Sequence, residues 1–154
     1  MMGKFVFELE ALLRMRAREE REAQGELAEL NARAAVIRDE ITGAQRTVVS
    51  FKEDWRVAAG AGRVDLGAVG RQATAVLGQQ VKAQAAAVRL AQMGPALEAA
   101  RARVVAASQR RRAVELLKER RLRTWKDRES RRLVAELDDV VMSRVVRGGA
   151  QGMP

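Results

Sequence analysis

Between residues 5 and 58 the apolar positions recur in alternating steps of three and four. The series visits Leu9, Leu13, Arg16, Glu20, Ala23, Leu27, Leu30, Ala34, Ile37, Ile41, Ala44, Val48, Phe51, Trp55 and Ala58. Thirteen of the fifteen are apolar, and the exceptions, Arg16 and Glu20, are neighbours in the series. A period of 3.5 held for about seven heptads is the seam of a coiled coil. The stretch contains no Pro and only two Gly, Gly25 and Gly43, in a background of strong helix formers. The pattern predicts one helix over about 5–58, with Leu13, Leu27, Ile41, Val48 and Trp55 at a and Leu9, Leu30, Ile37 and Phe51 at d.

The pattern stops at Gly60, and four glycines fall between 60 and 70. Glycine is costly inside a helix and natural in a reversal, so a tip is expected over about 59–67, with Asp65 as N-cap of the next helix. Helical composition then returns from about 68 to 147. Leu77, Val81, Val88 and Ala91 lie on one side of its first part, and Leu97, Val104, Val114, Leu122, Trp125, Leu133, Leu137, Val141 and Val145 continue it without one assignable register. Gly94-Pro95 interrupts this second helix. Proline removes a backbone donor and crowds the preceding turn, so a kink and a true break are both open. The absence of polar or flexible neighbours favours the kink. Gly148-Gly149 is expected to end the helix and 148–154 to be disordered. A short connection makes the helices antiparallel neighbours. The expected fold is all-α: a single-domain, long antiparallel two-helix coiled-coil hairpin, the second helix longer and kinked at Gly94-Pro95. Phe5 would lie opposite a residue near 121, and about 122–147 would project beyond the paired region.

Composition narrows the chemistry. The 154 residues include no Cys and no His. That excludes disulfides, cysteine nucleophiles, the Ser-His-Asp triad and zinc sites built on those ligands. No Gly-rich or acidic loop gathers the carboxylates, so no enzyme, cofactor, metal or small-molecule substrate is expected. Gly60-Ala61-Gly62-Arg63 lacks the Lys-Ser/Thr and the preceding strand of a phosphate loop. The opening residues do not form a signal peptide, and no apolar run approaches the roughly 18–20 residues of a membrane span, so a cytoplasmic protein is expected. The net charge of +9 is uneven: residues 1–60 carry 10 basic and 11 acidic side chains, whereas 101–154 carry 15 and 7. That asymmetry points to an acidic partner for the C-terminal half. Arg110-Arg111-Arg112, Arg120-Arg121 and Arg131-Arg132 supply seven of those fifteen basic residues. Such runs are more often a solvated helix face than a phosphate grip, and Trp125 is the only aromatic among them. Nucleic acid is therefore not an expected partner.

The opening Phe5-Val6-Phe7-Glu8-Leu9-Glu10-Ala11-Leu12-Leu13-Arg14-Met15-Arg16 resembles that of the flagellar export protein FliJ family. Leu116-Leu117-Lys118-Glu119-Arg120, Trp125, Glu129, Arg131 and Glu136-Leu137-Asp138-Asp139 fall where that family has a leucine-lysine run, an aromatic and a terminal acidic element. Two features depart from it: Leu133-Val134-Ala135 is apolar, and Asp139 replaces the usual Glu. The resemblance implies an antiparallel coiled coil similar to the central stalk of rotary ATPases. Such a stalk sits in the hexameric flagellar export ATPase, reaches toward a membrane export-gate protein and meets export chaperones. It is cytoplasmic and peripheral to the inner membrane at the flagellar base. Carried onto this chain, the ATPase ring would meet Phe5, Phe7, Leu9, Leu13, Arg16, Glu20, Trp125, Glu129, Arg131, Leu137 and Asp138. The gate would meet Val48, Phe51, Trp55, Ala73, Leu77 and Val81 at the tip.

Each set has a plainer reading. Val48, Phe51 and Trp55 fit the seam, packing on Ala73, Val76 or Leu77, and the register favours that, although Trp55 is too large to be hidden by two helices. Ala73, Leu77 and Val81 are the expected counterparts on the second helix. Arg16 and Glu20 either loosen the hairpin where it meets the ring or form an ordinary intrahelical ion pair. Three rival functions remain. The stalk of a virulence-type secretion system has the same architecture. A basic nucleic-acid-binding coiled coil would bind less tightly as salt rises. A self-associating scaffold would have no use for the glycine cluster.

Overall fold

The computed structural model describes residues 4–62 and 65–149. Among them the ordered elements are all helical: α1 (Glu10–Gly60), α2 (Leu66–Gln92) and α3 (Gly94–Gly149). The chain runs out along α1 and returns through α2 and α3 as the antiparallel partner. The expected disorder of the last residues falls, for 150–154, outside the described residues, and α3 runs through Gly149.

The first helix starts later than its periodicity predicts, at Glu10 instead of residue 5. Residues 4–7 carry no regular structure, because the aromatic side chains there pack on the returning helix. The Glu10 N–H donates to Phe7 O at 3.1 Å, which closes the entry turn. α1 runs to Gly60 and α2 begins at Leu66, inside the bounds expected for the tip. At the end of α1, Ala61 N–H donates to Val57 O and Gly62 N–H to Ala59 O, both at 3.2 Å, and Gly62 takes φ +68°. A left-handed residue after the last turn satisfies carbonyls that would otherwise be orphaned, and glycine takes that conformation without a Cβ penalty. Asp65 is the N-cap of α2, as expected, accepting from the Gly67 N–H at 2.9 Å.

Gly94-Pro95 bends the return arm without breaking it, and the bend sits one residue upstream. Met93 separates α2 from α3 yet keeps a right-handed helical backbone (φ −78°, ψ −15°). Its N–H donates to Arg89 O at 3.3 Å and Leu90 O at 3.2 Å, and its carbonyl accepts from Leu97 at 3.0 Å. Pro95 thereby sits in the first turn of α3, where a missing N–H loses no helical hydrogen bond.

Two compact units divide the chain, one of residues 21–106 and one of residues 1–20 with 107–154. In the 21–106 unit the seam is built of alanine. Ala23, Ala34, Ala44, Ala86 and Ala100 are buried together with Leu97, and Ala34 is fully enclosed. Side chains this small let two helices approach closely, and the burial is distributed instead of resting on one large residue. Arg103–Glu26 at 2.8 Å and Arg89–Glu40 tie the arms at the flanks. In the other unit charge replaces alanine. Phe7 and Ala107 are buried, and so are Glu20 and Glu129. Arg111 bridges Glu20 across the hairpin and Glu115 on its own helix. Lys118–Glu10 at 2.7 Å and Arg121–Glu8 at 3.3 Å add two further cross-helix pairs.

Along α1 every seam position from Leu9 to Phe51 is buried or half-buried, including Arg16 and Glu20, while Trp55 and Ala58 are exposed. The return arm has a single register after all. Val69, Gln72, Val76, Gln79, Ala83, Ala86, Leu90, Met93, Leu97, Ala100, Val104, Ala107, Arg111, Val114 and Lys118 are covered, again in steps of three and four and straight through the bend. Gln72, Gln79, Arg111 and Lys118 within it conceal that register from a purely apolar search.

Candidate protein-interaction site

At the tip, α1 and α2 leave an open groove of about 540 Å³ walled by Phe51, Trp55, Val69, Ala73, Val76 and Leu77. Val48 and Phe51 are half-buried in the seam, as the plainer reading holds. Gln72 Nε2 donates to Phe51 O at 3.3 Å and pins the two helices there. Ala73, Leu77 and Val81 do not fill the role of seam counterparts. All three are exposed, Leu77 at 60% and Val81 at 64%, and Val69, Gln72, Val76 and Gln79 occupy the seam instead. The physical reason lies farther along the unit. The alanine layers at Ala86 and Ala100, with Leu97, fix the rotation of the return arm, and that rotation carries Ala73, Leu77, Val81 and Val88 to the outside. With half-exposed Trp55, they form an exposed apolar face of this unit. Contiguous exposed apolar faces are the kind of surface that protein contacts use.

In the unit of residues 1–20 and 107–154, the residues assigned to ring contact divide by burial. Phe7 is buried under Lys118 and Arg121, whose charges lie 5.8 Å and 5.9 Å from its ring centre. Phe5 packs on Trp125 with ring centroids 5.9 Å apart. Leu9 and Leu13 are half-buried seam residues, and Glu20 and Glu129 are buried. Arg16 makes an intrahelical pair with Glu19 at 2.8 Å, where the plainer of the two readings placed one with Glu20. Glu20 instead reaches Arg111 across the hairpin. The hydrogen bond from Arg111 to Glu20 raises the Arg111 pKa, and Glu115 adds to the effect. Arg131, Leu137 and Asp138 are exposed.

Beyond Leu133 the α3 side chains described are all exposed. Val134, Leu137, Val141 and Val145 recur there at steps of three and four, a coiled-coil seam with no partner helix among the described residues of the unit. The Arg132–Glu136 pair at 2.8 Å stiffens this stretch and lowers the Glu136 pKa. At 3.6 residues per turn Asp138 lies beside the apolar stripe and Asp139 off it, both exposed.

The basic excess of residues 101–154 is thus partly spent inside the chain, because Arg103, Arg111, Lys118 and Arg121 each pair with a glutamate of the first arm or the segment before it. Spacing alone could have suggested this, since the glutamates of the first arm run opposite the arginines of the second once the hairpin is closed. Among the described residues no group of three His, Cys, Asp or Glu could hold a metal ion. None of the described helices is long and apolar enough to cross a membrane. The family model described as flagellar FliJ protein matches residues 5–150. No curated protein and no solved structure matches the chain significantly.

Proposed function

The chain belongs to the FliJ family, whose members are non-catalytic components of flagellar protein export, and from that premise we propose that it is the stalk of the export ATPase. In this reading the α3 end enters the hexameric ATPase ring through Val134, Leu137, Val141 and Val145. Arg131 and Asp138 flank that stripe. The tip face of Trp55, Ala73, Leu77 and Val81 docks on the membrane export-gate protein, and export chaperones join the same assembly at the flagellar base. The observation that carries the reading is the unpartnered seam on α3. A helix keeps four regularly spaced aliphatic side chains in water only at a cost, and a surrounding partner removes it.

The test is stimulation of ATP hydrolysis and ring assembly by the purified protein, with the export ATPase of the same genome. The pair Leu137→Asp and Val141→Asp should abolish stimulation while leaving helicity intact, because both side chains are exposed. Trp55→Ala with Leu77→Ser should keep stimulation and lose binding to the gate protein's cytoplasmic part. Undiminished stimulation by the Leu137/Val141 variant would refute the placement of α3 in the ring.

A further inference from the structure

A second surface in the unit of residues 1–20 and 107–154 has a chemistry of its own. The segment before α1 lies against α3 and leaves an open groove of about 410 Å³. Lys4, Arg120, Arg121 and Arg128 surround it, with Trp125 in its wall and Glu8 as its one carboxylate. Among the described residues Arg121 alone of the four cations is in an ion pair, with Glu8 at 3.3 Å. Among the described residues Lys4, Arg120 and Arg128 make no ion pair. Like charges crowded around one concavity leave a positive potential that a bound anion relieves. The spacing is regular as well. Arg120, Thr124 and Arg128 stand four residues apart on one face of α3, so the two guanidinium groups rise from backbone points roughly 12 Å apart along the helix. Thr124 Oγ1 donates to Arg120 O at 3.1 Å, which leaves its lone pairs free to accept.

We propose that this groove docks an acidic amphipathic helix of a partner protein. A helix lying alongside α3 has the same rise per residue. Two of its carboxylates eight residues apart therefore meet Arg120 and Arg128 together, and an apolar side chain midway between them covers the exposed part of Trp125. The pairs formed are charge-assisted, and arginine takes a carboxylate through two donors. A nucleic acid fits less well. Base stacking requires an open ring face, whereas Trp125 is half-buried and carries the Phe5 ring tilted by 54° against it. The groove shares no residue with the Val134–Val145 stripe, although Phe5 and Trp125 in its lining belong to the ring-contact set that the family resemblance implies.

The test uses the full chain carrying Trp55→Phe, which leaves Trp125 as the sole indole. Its emission is titrated with a synthetic helical peptide bearing Glu, Leu and Glu at positions i, i+4 and i+8. A Gln-for-Glu peptide, a twelve-residue oligothymidylate and phosphatidylglycerol vesicles are titrated in parallel. The expected result is a saturable change with the acidic peptide, weakened at least tenfold in Arg120→Gln/Arg128→Gln and with the Gln peptide. An Arg128→Glu variant should regain affinity for a peptide with Lys at i+8. Circular dichroism checks that the helices are intact, as exposed and unpaired arginines permit. No saturable change, equal binding of the Gln peptide, indifference to the double variant, or tighter binding of oligothymidylate or vesicles would each overturn the proposal.

Discussion

Replacing Leu97 by Ala should destabilise the 21–106 unit by about 2 kcal/mol, whereas Val88→Ala nine residues earlier should cost almost nothing. Leu→Ala removes three carbons, each worth about 0.8 kcal/mol when buried. Leu97 is only 7% exposed, so nearly the whole of that term is lost. The neighbours in a two-helix seam can close in on the gap, which keeps the value at the low end of the ~2–5 kcal/mol seen for core leucines. Val→Ala removes two carbons, but Val88 is 57% exposed, so less than half of about 1.6 kcal/mol is at stake. Alanine's higher helix propensity returns about 0.5 kcal/mol of it. Urea unfolding followed by helical circular dichroism separates the two. With a slope of about 2 kcal/mol per molar, Leu97→Ala should move the midpoint of this unit down by about 1 M and Val88→Ala by a tenth or two of that. Equal shifts would mean that α2 and the start of α3 do not present these faces to α1. No shift in either would mean that burial does not hold the seam.

Further outcomes follow from the same geometry. Gly62→Ala should cost about 1 kcal/mol, because φ +68° penalises any Cβ although nothing lies within 4 Å of one. Gly43→Ala, in helix interior with equally open space, should stabilise by about 0.5–1 kcal/mol, both read from thermal midpoints. Reversing one member of the cross-helix pair, Glu20→Arg or Arg111→Glu, should lower the urea midpoint, and the double reversal should restore part of it, the remainder being lost because Glu115 then faces a carboxylate at position 111; a double reversal no better than the singles would show that the pair does not act as a unit. The Arg132 hydrogen bond lowers the Glu136 pKa, so that contribution is complete above the ordinary carboxylate range near ~4.3 and disappears as pH falls through the lowered value. Carboxyl NMR shifts should show Glu136 titrating below the ordinary glutamate range and returning to it in Arg132→Ala.

The seam of the first helix was legible from residues alone. Alternating steps of three and four from Leu9 to Phe51 name the covered positions one by one, because an isolated apolar row on an otherwise charged helix has only one face to bury. The reversal was legible too, with Asp65 capping α2 as its short polar side chain allows. The family resemblance rested on Phe5-Val6-Phe7 and the motifs around Leu116 and Glu136, and the match over residues 5–150 agrees with it. Two aspects were not legible. The aromatic opening reads as helix by composition, yet Phe5 and Phe7 leave the helix to pack on Trp125 and under Lys118 and Arg121. Local propensity carries no term for a contact more than a hundred residues away.

The face of α2 is the larger case. Its sequence offers two apolar rows, one through Leu77, Val81 and Val88 and one through Val76, Ala83 and Ala86. The first has the bulkier side chains and looks like the core. Only the closed hairpin decides between them, since the rotation of the return arm is set where it must approach α1 most closely. That place is the alanine layer of Ala34, Ala86 and Ala100 with Leu97, where small side chains fit and branched ones do not. The sequence by itself determined that two helices pair. The distance at which they pair turned the larger aliphatic row outward.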